Sequence, residues 1–220
     1  EAVRDYIIRM VTDTPDISAR QLAAKVVNMA HLHDGYNLRD DASCGVVYFR
    51  EPRRLLLCTG PPYDESNDRV LSDTVRAFEG IRIISGATTS DILAREWGEE
   101  ITDSFDFEDP DLPPISSMPG VDLITEGILT LTKVTDILKD YGPAYRLGNG
   151  PADRIVRYLL ESDEIHFLIG TRINVAHQDP SLPIDLEIRR TVIRRIARLL
   201  EERFLKETAV RRISRSIGRL

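Results

Sequence analysis

Apolar residues recur at helical spacing in the first part of the chain. In SARQLAAKVVNMAH, residues 18–31, they return every three or four positions, and Ser18 stands where a helix cap is expected. Residues 1–11 follow a similar pattern. CGVVYF, residues 44–49, is rich in β-branched and aromatic residues, as strands are. The pattern therefore predicts two helices followed by a strand.

The pattern changes after REPRR, residues 50–54, a charged, proline-containing segment. We take this segment as a domain boundary and predict domains at 1–52 and 53–220. Beyond it, RLLLCTG is a near-continuous apolar run, typical of a strand buried on both faces of a parallel sheet. Three later apolar runs, separated by helical patterns, also lead to a glycine. Strands alternating with helices predict an α/β fold with a mostly parallel sheet and helices on both faces. The four glycines are Gly60, Gly86, Gly127 and Gly170.

Three further segments complete the pattern. The acidic, proline-rich FDFEDPDLPPISSMPG, residues 105–120, predicts an excursion on the surface. A long amphipathic helix is predicted from Pro183 to about Leu205. The following AVRRISRSIGRL, residues 209–220, is expected to fray or to be disordered.

Composition is that of an ordinary globular protein, with 42% hydrophobic and 30% charged residues. The sequence holds no run of about 18 apolar residues, so no membrane partner is expected. Its two cysteines are too few for a disulfide framework, which makes a cytoplasmic location the expectation. Because the chain starts with EAVRDYIIRMV, without an initiator Met, we expect it to be part of a longer protein.

Charge is unevenly distributed. Residues 189–220 contain 11 Lys or Arg and 3 Glu, whereas the remaining residues contain 18 basic and 33 acidic side chains. The acidic body argues against general nucleic-acid binding. The basic helix is expected to be a solvated face or a partner surface, with nucleic acid as the disfavoured alternative.

Asp40 and Asp41 stand directly before the predicted strand at 44–49. Neighbouring carboxylates repel each other unless a cation or hydrogen bonds compensate their charge. Mg²⁺ and Mn²⁺ favour carboxylate oxygens, so the pair is a candidate metal ligand. A solvated turn is the alternative.

The sequence around this pair, DDASCGVVYFREPRRLLLCTGPP, resembles the end of the catalytic domain in metal-dependent serine/threonine phosphatases of the protein phosphatase 2C superfamily. It is most similar to the bacterial branch that includes the sporulation stage II phosphatase. The resemblance implies that residues 1–52 are a helix–helix–strand remnant of the phosphatase 2C-like α+β sandwich. It also implies that Asp40, with Asp41 beside it, binds one of two catalytic Mn²⁺ or Mg²⁺ ions.

By the same resemblance, the intact protein would dephosphorylate Ser or Thr on a phosphorylated regulatory protein. The earlier aspartates of the superfamily, including its Asp-Gly metal motif, are absent from these residues. A two-metal hydrolase needs ligands for both ions and a water between them. We therefore expect this chain alone to be inactive as a phosphatase.

The resemblance extends to the α/β domain. TGPP, GATT, DLITEGILTL and GTRINVAHQDPSLP are similar to segments of an additional C-terminal domain in some bacterial relatives. In open parallel sheets, ligands bind outside the carboxyl ends of the strands. Free N–H groups at a helix start can receive an anion there. The candidate ligand-binding residues are Gly86, Thr88, Thr89, Glu126, Gly127, Gly170, Arg172, Asn174 and His177, with Gln178 nearby.

Simpler readings of these residues stay open. A glycine after a strand serves turn geometry in many folds, and no complete G-x-G-x-x-G or G-x-x-x-x-G-K-[ST] motif is present. His177 fits a hydrogen-bonded loop as well as a site. The leading hypothesis is the C-terminal portion of a phosphatase whose accessory domain binds a small anionic ligand or a partner. The alternatives are a non-catalytic ligand-binding or protein-interaction module, and an independent enzyme at the glycine-rich edge, for which no nucleophile–base pair stands out.

Overall fold

The computed structural model divides the chain into two compact units, Glu1–Glu51 and Pro52–Leu220. Each unit is described by itself. The structure describes residues 2–15, 17–37, 40–104, 108–142, 144–171 and 184–213, with the side chains of 184–187 excepted.

The first unit contains two helices, as the apolar spacing predicts: α1 (Ala2–Asp13) and α2 (Ala19–His33). Ser18 begins α2 with a reciprocal cap. Its hydroxyl accepts a hydrogen bond from the N–H of Gln21 at 3.1 Å, and the Gln21 side chain accepts one from the N–H of Ser18 at 3.1 Å. This capping box satisfies N–H groups that the first turn of a helix leaves without partners.

The strand predicted at residues 44–49 is wrong. These residues form no regular structure, and Val47 and Phe49 are 81% and 90% exposed. A strand needs a neighbour to take its backbone hydrogen bonds, and β-propensity is expressed only in that context. No described strand pairs with this segment. The described part of the first unit is therefore helix–helix followed by irregular chain, and the predicted helix–helix–strand remnant is corrected accordingly.

The second unit is α/β. In the described part of the chain, its sheet has seven strands in the order β3-β4-β5-β2-β1-β6-β7. β5, β2, β1, β6 and β7 are parallel, whereas β4 runs antiparallel to its neighbours β3 and β5. The strands are β1 (Arg54–Thr59), β2 (Ile81–Ser85), β3 (Thr102–Asp103), β4 (Ser116–Met118), β5 (Val121–Thr125), β6 (Glu164–Ile169) and β7 (Glu207–Arg212).

Helices cover both faces of this sheet, which confirms the predicted layering. One apolar cluster joins one face to α5, α6 and α7, and the other joins the opposite face to α3 and α4. Cys58 on β1 is fully buried in the second cluster, and burial raises the pKa of its thiol to about 12. The helices are α3 (Asp68–Ala77), α4 (Ala87–Trp97), α5 (Ile128–Asp140), α6 (Pro151–Glu161) and α7 (Ile184–Phe204).

Residues 209–212, part of the region 209–220 expected to fray, instead belong to the parallel edge strand β7, which runs from Glu207 to Arg212. Its start is fixed by Lys206, whose Nζ donates to the carbonyl oxygens of Leu160 at 2.7 Å and Ser162 at 2.6 Å. Its end is fixed by Ile213, which is 3% exposed in the core. These partners are distant in sequence, so local pattern did not reveal them. Residues 214–220 lie outside the described residues.

The segment at 105–120, expected on the surface, is partly buried. Asp109 and Leu112 are 8% and 6% exposed, and the segment contains β4. The buried carboxylate of Asp109 is stabilised by Lys133 on α5, whose Nζ lies 2.6 Å from Asp109 Oδ2. The hydrogen bond from Lys133 lowers the pKa of Asp109, and the same bond raises the pKa of Lys133. The ion pair therefore anchors the excursion to α5.

Within the described ranges, no helix is both long enough and apolar enough to cross a lipid bilayer.

Candidate functional site

The carboxyl ends of four neighbouring parallel strands form one edge of the sheet. β5, β2, β1 and β6 are parallel, as the sequence predicted, and the structure shows them to be adjacent; each leads into a loop that contains one of the four glycines. Among these four strands, β2 and then β5 follow β1 on one side of it, and β6 lies on the other side of β1. Ligands of open α/β sheets bind at such an edge.

Gly86 and Gly127 bring two of these loops together. A Cβ placed on Gly127 would lie 3.7 Å from the Cα of Gly86. The N–H of Gly86 donates to the carbonyl oxygen of Thr125 at 2.8 Å, and the hydroxyl of Ser85 donates to the carbonyl oxygen of Glu126 at 2.8 Å. Gly86 has φ +130°, a conformation that favours glycine. These bonds hold the starts of α4 and α5 side by side.

The first turns of α4 and α5 contain no acidic side chain. Gly86 and Gly127 are the N-cap residues, neither helix start has a side-chain cap, and neither first turn contains an acidic residue. By contrast, α3 begins with Asp68, a buried carboxylate that also pairs with Arg95 at 2.6 Å. A helix start carries partial positive charge and free N–H groups, so acidic groups there are stabilising. In α3 the carboxylate of Asp68 already interacts with this partial positive charge, whereas the first turns of α4 and α5 contain no acidic side chain that could do so.

Two buried hydroxyls accompany these helix starts. Thr89 and Thr130 occupy the third position of α4 and α5, and are 1% and 0% exposed. The Oγ1 atom of each has no hydrogen-bond partner among the described residues. Thr89 Oγ1 faces Gly86, because it lies 3.5 Å from the position that a Cβ on that glycine would occupy. Buried hydroxyls in proteins are normally hydrogen-bonded, so both require an explanation.

The other predicted residues of this edge differ in exposure. Thr88 in the first turn of α4 and Glu126 at the end of β5 are exposed, and the carboxylate of Glu126 has no partner in the described chain. Gly170 is buried against the β1 loop, with its N–H donating to the carbonyl oxygen of Thr59 at 2.9 Å. The predicted residues Arg172, Asn174 and His177, with Gln178, lie outside the described residues.

The loop after β1 is poor in donors. Pro61 and Pro62 have no N–H groups, so this loop cannot surround an anion with backbone donors as glycine-rich phosphate loops do. Arg189 on α7 lies against the loop, because a Cβ on Gly60 would come within 2.8 Å of its Nη1 atom. Sequence analysis placed Arg189 on a solvated or partner-binding face, and nothing in the sequence separates it from the other arginines of that helix.

Asp40 and Asp41 belong to the first unit and are both exposed. The N–H of Asp41 donates to Asp40 Oδ1 at 2.8 Å, a bond local to the turn. Across the described residues, no three His, Cys, Asp or Glu side chains come together as a metal-binding group. The carboxylate pair is accessible to a cation, and its role as a metal ligand stays a prediction.

These features give the second unit an anion-receptive edge at the starts of α4 and α5, beside the exposed carboxylate of Glu126. Comparison of the chain with protein-family models, curated proteins and solved structures found no match.

Proposed function

We propose that the second unit binds a small phosphorylated ligand at the carboxyl edge of its parallel sheet. One observation carries the proposal: the starts of α4 and α5 lie side by side, without an acidic residue in either first turn. A phosphate group placed there accepts hydrogen bonds from backbone N–H groups and meets the positive ends of two helices. The hydroxyls of Thr89 and Thr130 are additional donors next to those N–H groups.

Glu126 narrows the class of ligand. An ionised carboxylate accepts hydrogen bonds and repels phosphate. Because Glu126 is exposed at the end of β5, it suits a ligand that carries hydroxyl or amino groups at a distance from its phosphate. Sugar phosphates and nucleotides have this arrangement. The function proposed is recognition of such a metabolite.

The test measures binding of inorganic phosphate, glucose 6-phosphate and adenosine monophosphate to the 220-residue chain. Calorimetry gives the affinity, and backbone amide NMR locates the site. We expect amide shifts confined to residues 86–90 and 127–131, and tighter binding of an organic phosphate than of inorganic phosphate. Thr88→Asp places a carboxylate in the exposed first turn of α4. It should weaken phosphate binding at least about tenfold while leaving the helix as stable or more so.

Lys139→Gln is the matched control, because it changes the charge of α5 by the same amount at the opposite end of the helix. It should leave binding within about twofold of wild type, as expected for an exposed charge more than a Debye length away. Absence of binding by all three phosphates, or equal weakening by Thr88→Asp and Lys139→Gln, would overturn the proposal.

A second proposal concerns the first unit and rests on the resemblance of residues 40–62 to phosphatase 2C-like enzymes. Asp40 and Asp41 would contribute to a two-metal Mn²⁺ or Mg²⁺ centre whose other ligands come from polypeptide outside this sequence. Incubating the 220-residue chain with Mn²⁺ and a phosphopeptide should give no hydrolysis above background. A longer protein containing an Asp-Gly metal motif should hydrolyse the peptide and lose activity in Asp40→Asn. Activity of the 220-residue chain alone, or an Asp40→Asn variant with full activity, would refute this assignment.

A further inference from the structure

A cavity of about 320 Å³, lined by none of the residues at the α4 and α5 starts, lies between the loop that leads into β4 and the first half of α6. Its volume falls at the lower end of the range for small-molecule sites, roughly 300–1,000 Å³. One wall is apolar and the other is basic. The residues lining these walls include Pro113, Pro114, Ile115, Asn149, Arg154 and Arg157.

The two arginines share a face of α6, because residues three apart on a helix are neighbours. Arg154 is half-buried, and its guanidinium makes no hydrogen bond or ion pair with the described residues. Arg157 donates from Nη2 to the carbonyl oxygen of Gly148 at 2.8 Å, which leaves its other donors available. A half-buried guanidinium without acceptors has lost part of its hydration without replacement, so an anion beside it is favoured.

The acidic groups near these arginines differ in how far their charge is compensated. Asp109, which lines the cavity, is held by Lys133 at 2.6 Å. Asp153 on α6 accepts the N–H of Gly148 at 3.0 Å. Glu108 also lines the cavity and is exposed, so it adds one negative charge at the margin. Glu108 and Asp153 therefore offset the two arginine charges from a distance, but neither arginine forms an ion pair with a described residue, so both keep donors for a ligand.

We propose that this cavity binds a small organic carboxylate with a compact apolar body. The carboxylate would lie on Arg154 and Arg157, since the guanidinium fork matches its two oxygens. The apolar body would pack on Pro113, Pro114 and Ile115, which offer no hydrogen-bonding side chains. A phosphate ester with a polar sugar fits this wall poorly, which separates the site from the one proposed at α4 and α5.

The test uses 3-phenylpropionate and 4-methylpentanoate as probes for the 220-residue chain, with phenylalanine and leucine as amino-bearing counterparts. We expect the two acids to bind in calorimetry and to shift amide signals at 112–115 and 149–157. Arg154→Gln should weaken binding about tenfold or more, because a charge-assisted hydrogen bond is lost. Arg154→Lys keeps the positive charge and loses the forked guanidinium, so its affinity for the two acids should lie between those of wild type and Arg154→Gln.

Arg69→Gln is the control, since Arg69 is an exposed arginine on α3 whose only described ion pair is a loose one to Asp73. Its binding should equal that of wild type, and Thr88→Asp should also leave carboxylate binding unchanged. Binding of all four carboxylates should exceed that of glucose 6-phosphate at residues 149–157; tighter binding of glucose 6-phosphate there would overturn the class of ligand proposed. No binding of any probe, or full binding in Arg154→Gln, would overturn the site itself.

Discussion

Gly170 approaches Gly60 so closely that a Cβ on Gly170 would lie 2.0 Å from the carbonyl oxygen of Gly60. The two residues directly follow the neighbouring strands β6 and β1. Gly170→Ala must therefore push these loops apart, and we expect the free energy of unfolding in urea to fall by about 1–3 kcal/mol. Gly142→Ala is the control, because no atom of the described residues lies within 4 Å of its added Cβ. Equal stability of the two variants would contradict the packing described.

The ion pair of Asp109 with Lys133 makes stability depend on pH. The pKa of Asp109 is lowered in the folded protein, so its contribution is present above the unfolded value of about 4 and is lost as pH falls below it. The pKa of Lys133 is raised, so its contribution is present below about 10.4 and is lost at higher pH. Asp109→Asn should lower the free energy of unfolding by about 1–2 kcal/mol at pH 7, after a discount for the partly exposed lysine.

The difference between wild type and Asp109→Asn should shrink as pH is lowered from 5 to 2. Asp111→Asn serves as the comparison, because its carboxylate is 83% exposed and lies 3.8 Å from Lys133. It should change stability by less than about 0.5 kcal/mol. A pH-independent difference for Asp109→Asn would show that the pair contributes by shape and not by charge.

The two cysteines should react with thiol reagents at very different rates. Burial of Cys58 raises its pKa to about 12, and the thiolate is the reactive species, whereas Cys44 is only half-buried. At pH 8, native protein treated with dithiobis(nitrobenzoate) should therefore release about one equivalent of thionitrobenzoate quickly. The second equivalent should appear only in denaturant. The Cys44→Ser variant should give almost no fast reaction and Cys58→Ser should keep it; the reverse pattern would place the wrong cysteine in the core.

Lys206 should matter for stability more than its charge suggests. Its Nζ donates to the carbonyl oxygens of Leu160 and Ser162, so Lys206→Met leaves two acceptors at the end of α6 without that donor. We expect a loss of about 1–3 kcal/mol in the free energy of unfolding, with faster amide exchange in β7. Lys139→Met, the same change at an exposed lysine, should be nearly neutral. Unchanged exchange in β7 would contradict the anchoring role.

The four central parallel strands of the second unit, and its helices α3, α4, α5 and α7, followed from patterns of apolar residues. Continuous apolar runs such as Leu55–Cys58 indicated parallel strands, and the glycines after them indicated a common edge. In contrast, 44–49 and 209–212 were both misassigned. The first has high β-propensity and no described partner strand, and the second pairs with β6 although its own sequence is strongly charged. Strand formation in both cases was decided by a distant partner, which a local pattern does not contain.

The candidate site was predicted in part for the same reason. Gly86, Thr89 and Gly127 stand at strand–helix junctions, where backbone geometry follows from the fold class. Thr130 was overlooked, although it repeats the glycine-to-threonine spacing of Gly86 and Thr89. The cavity beside Arg154 depends on a loop and a helix that meet only in the folded chain, so no motif marks it.

The position of α7 in the chain has a consequence for synthesis on the ribosome. Val192, Ile193, Ile196 and Leu200 complete the apolar layer over one face of the sheet, and they follow β1 by more than 130 residues. Until they leave the exit tunnel, this face of the nascent sheet is covered only by α5 and α6, and part of its apolar surface stays exposed. Chaperone capture during translation, and aggregation when translation stalls before residue 200, are the expected liabilities of this architecture.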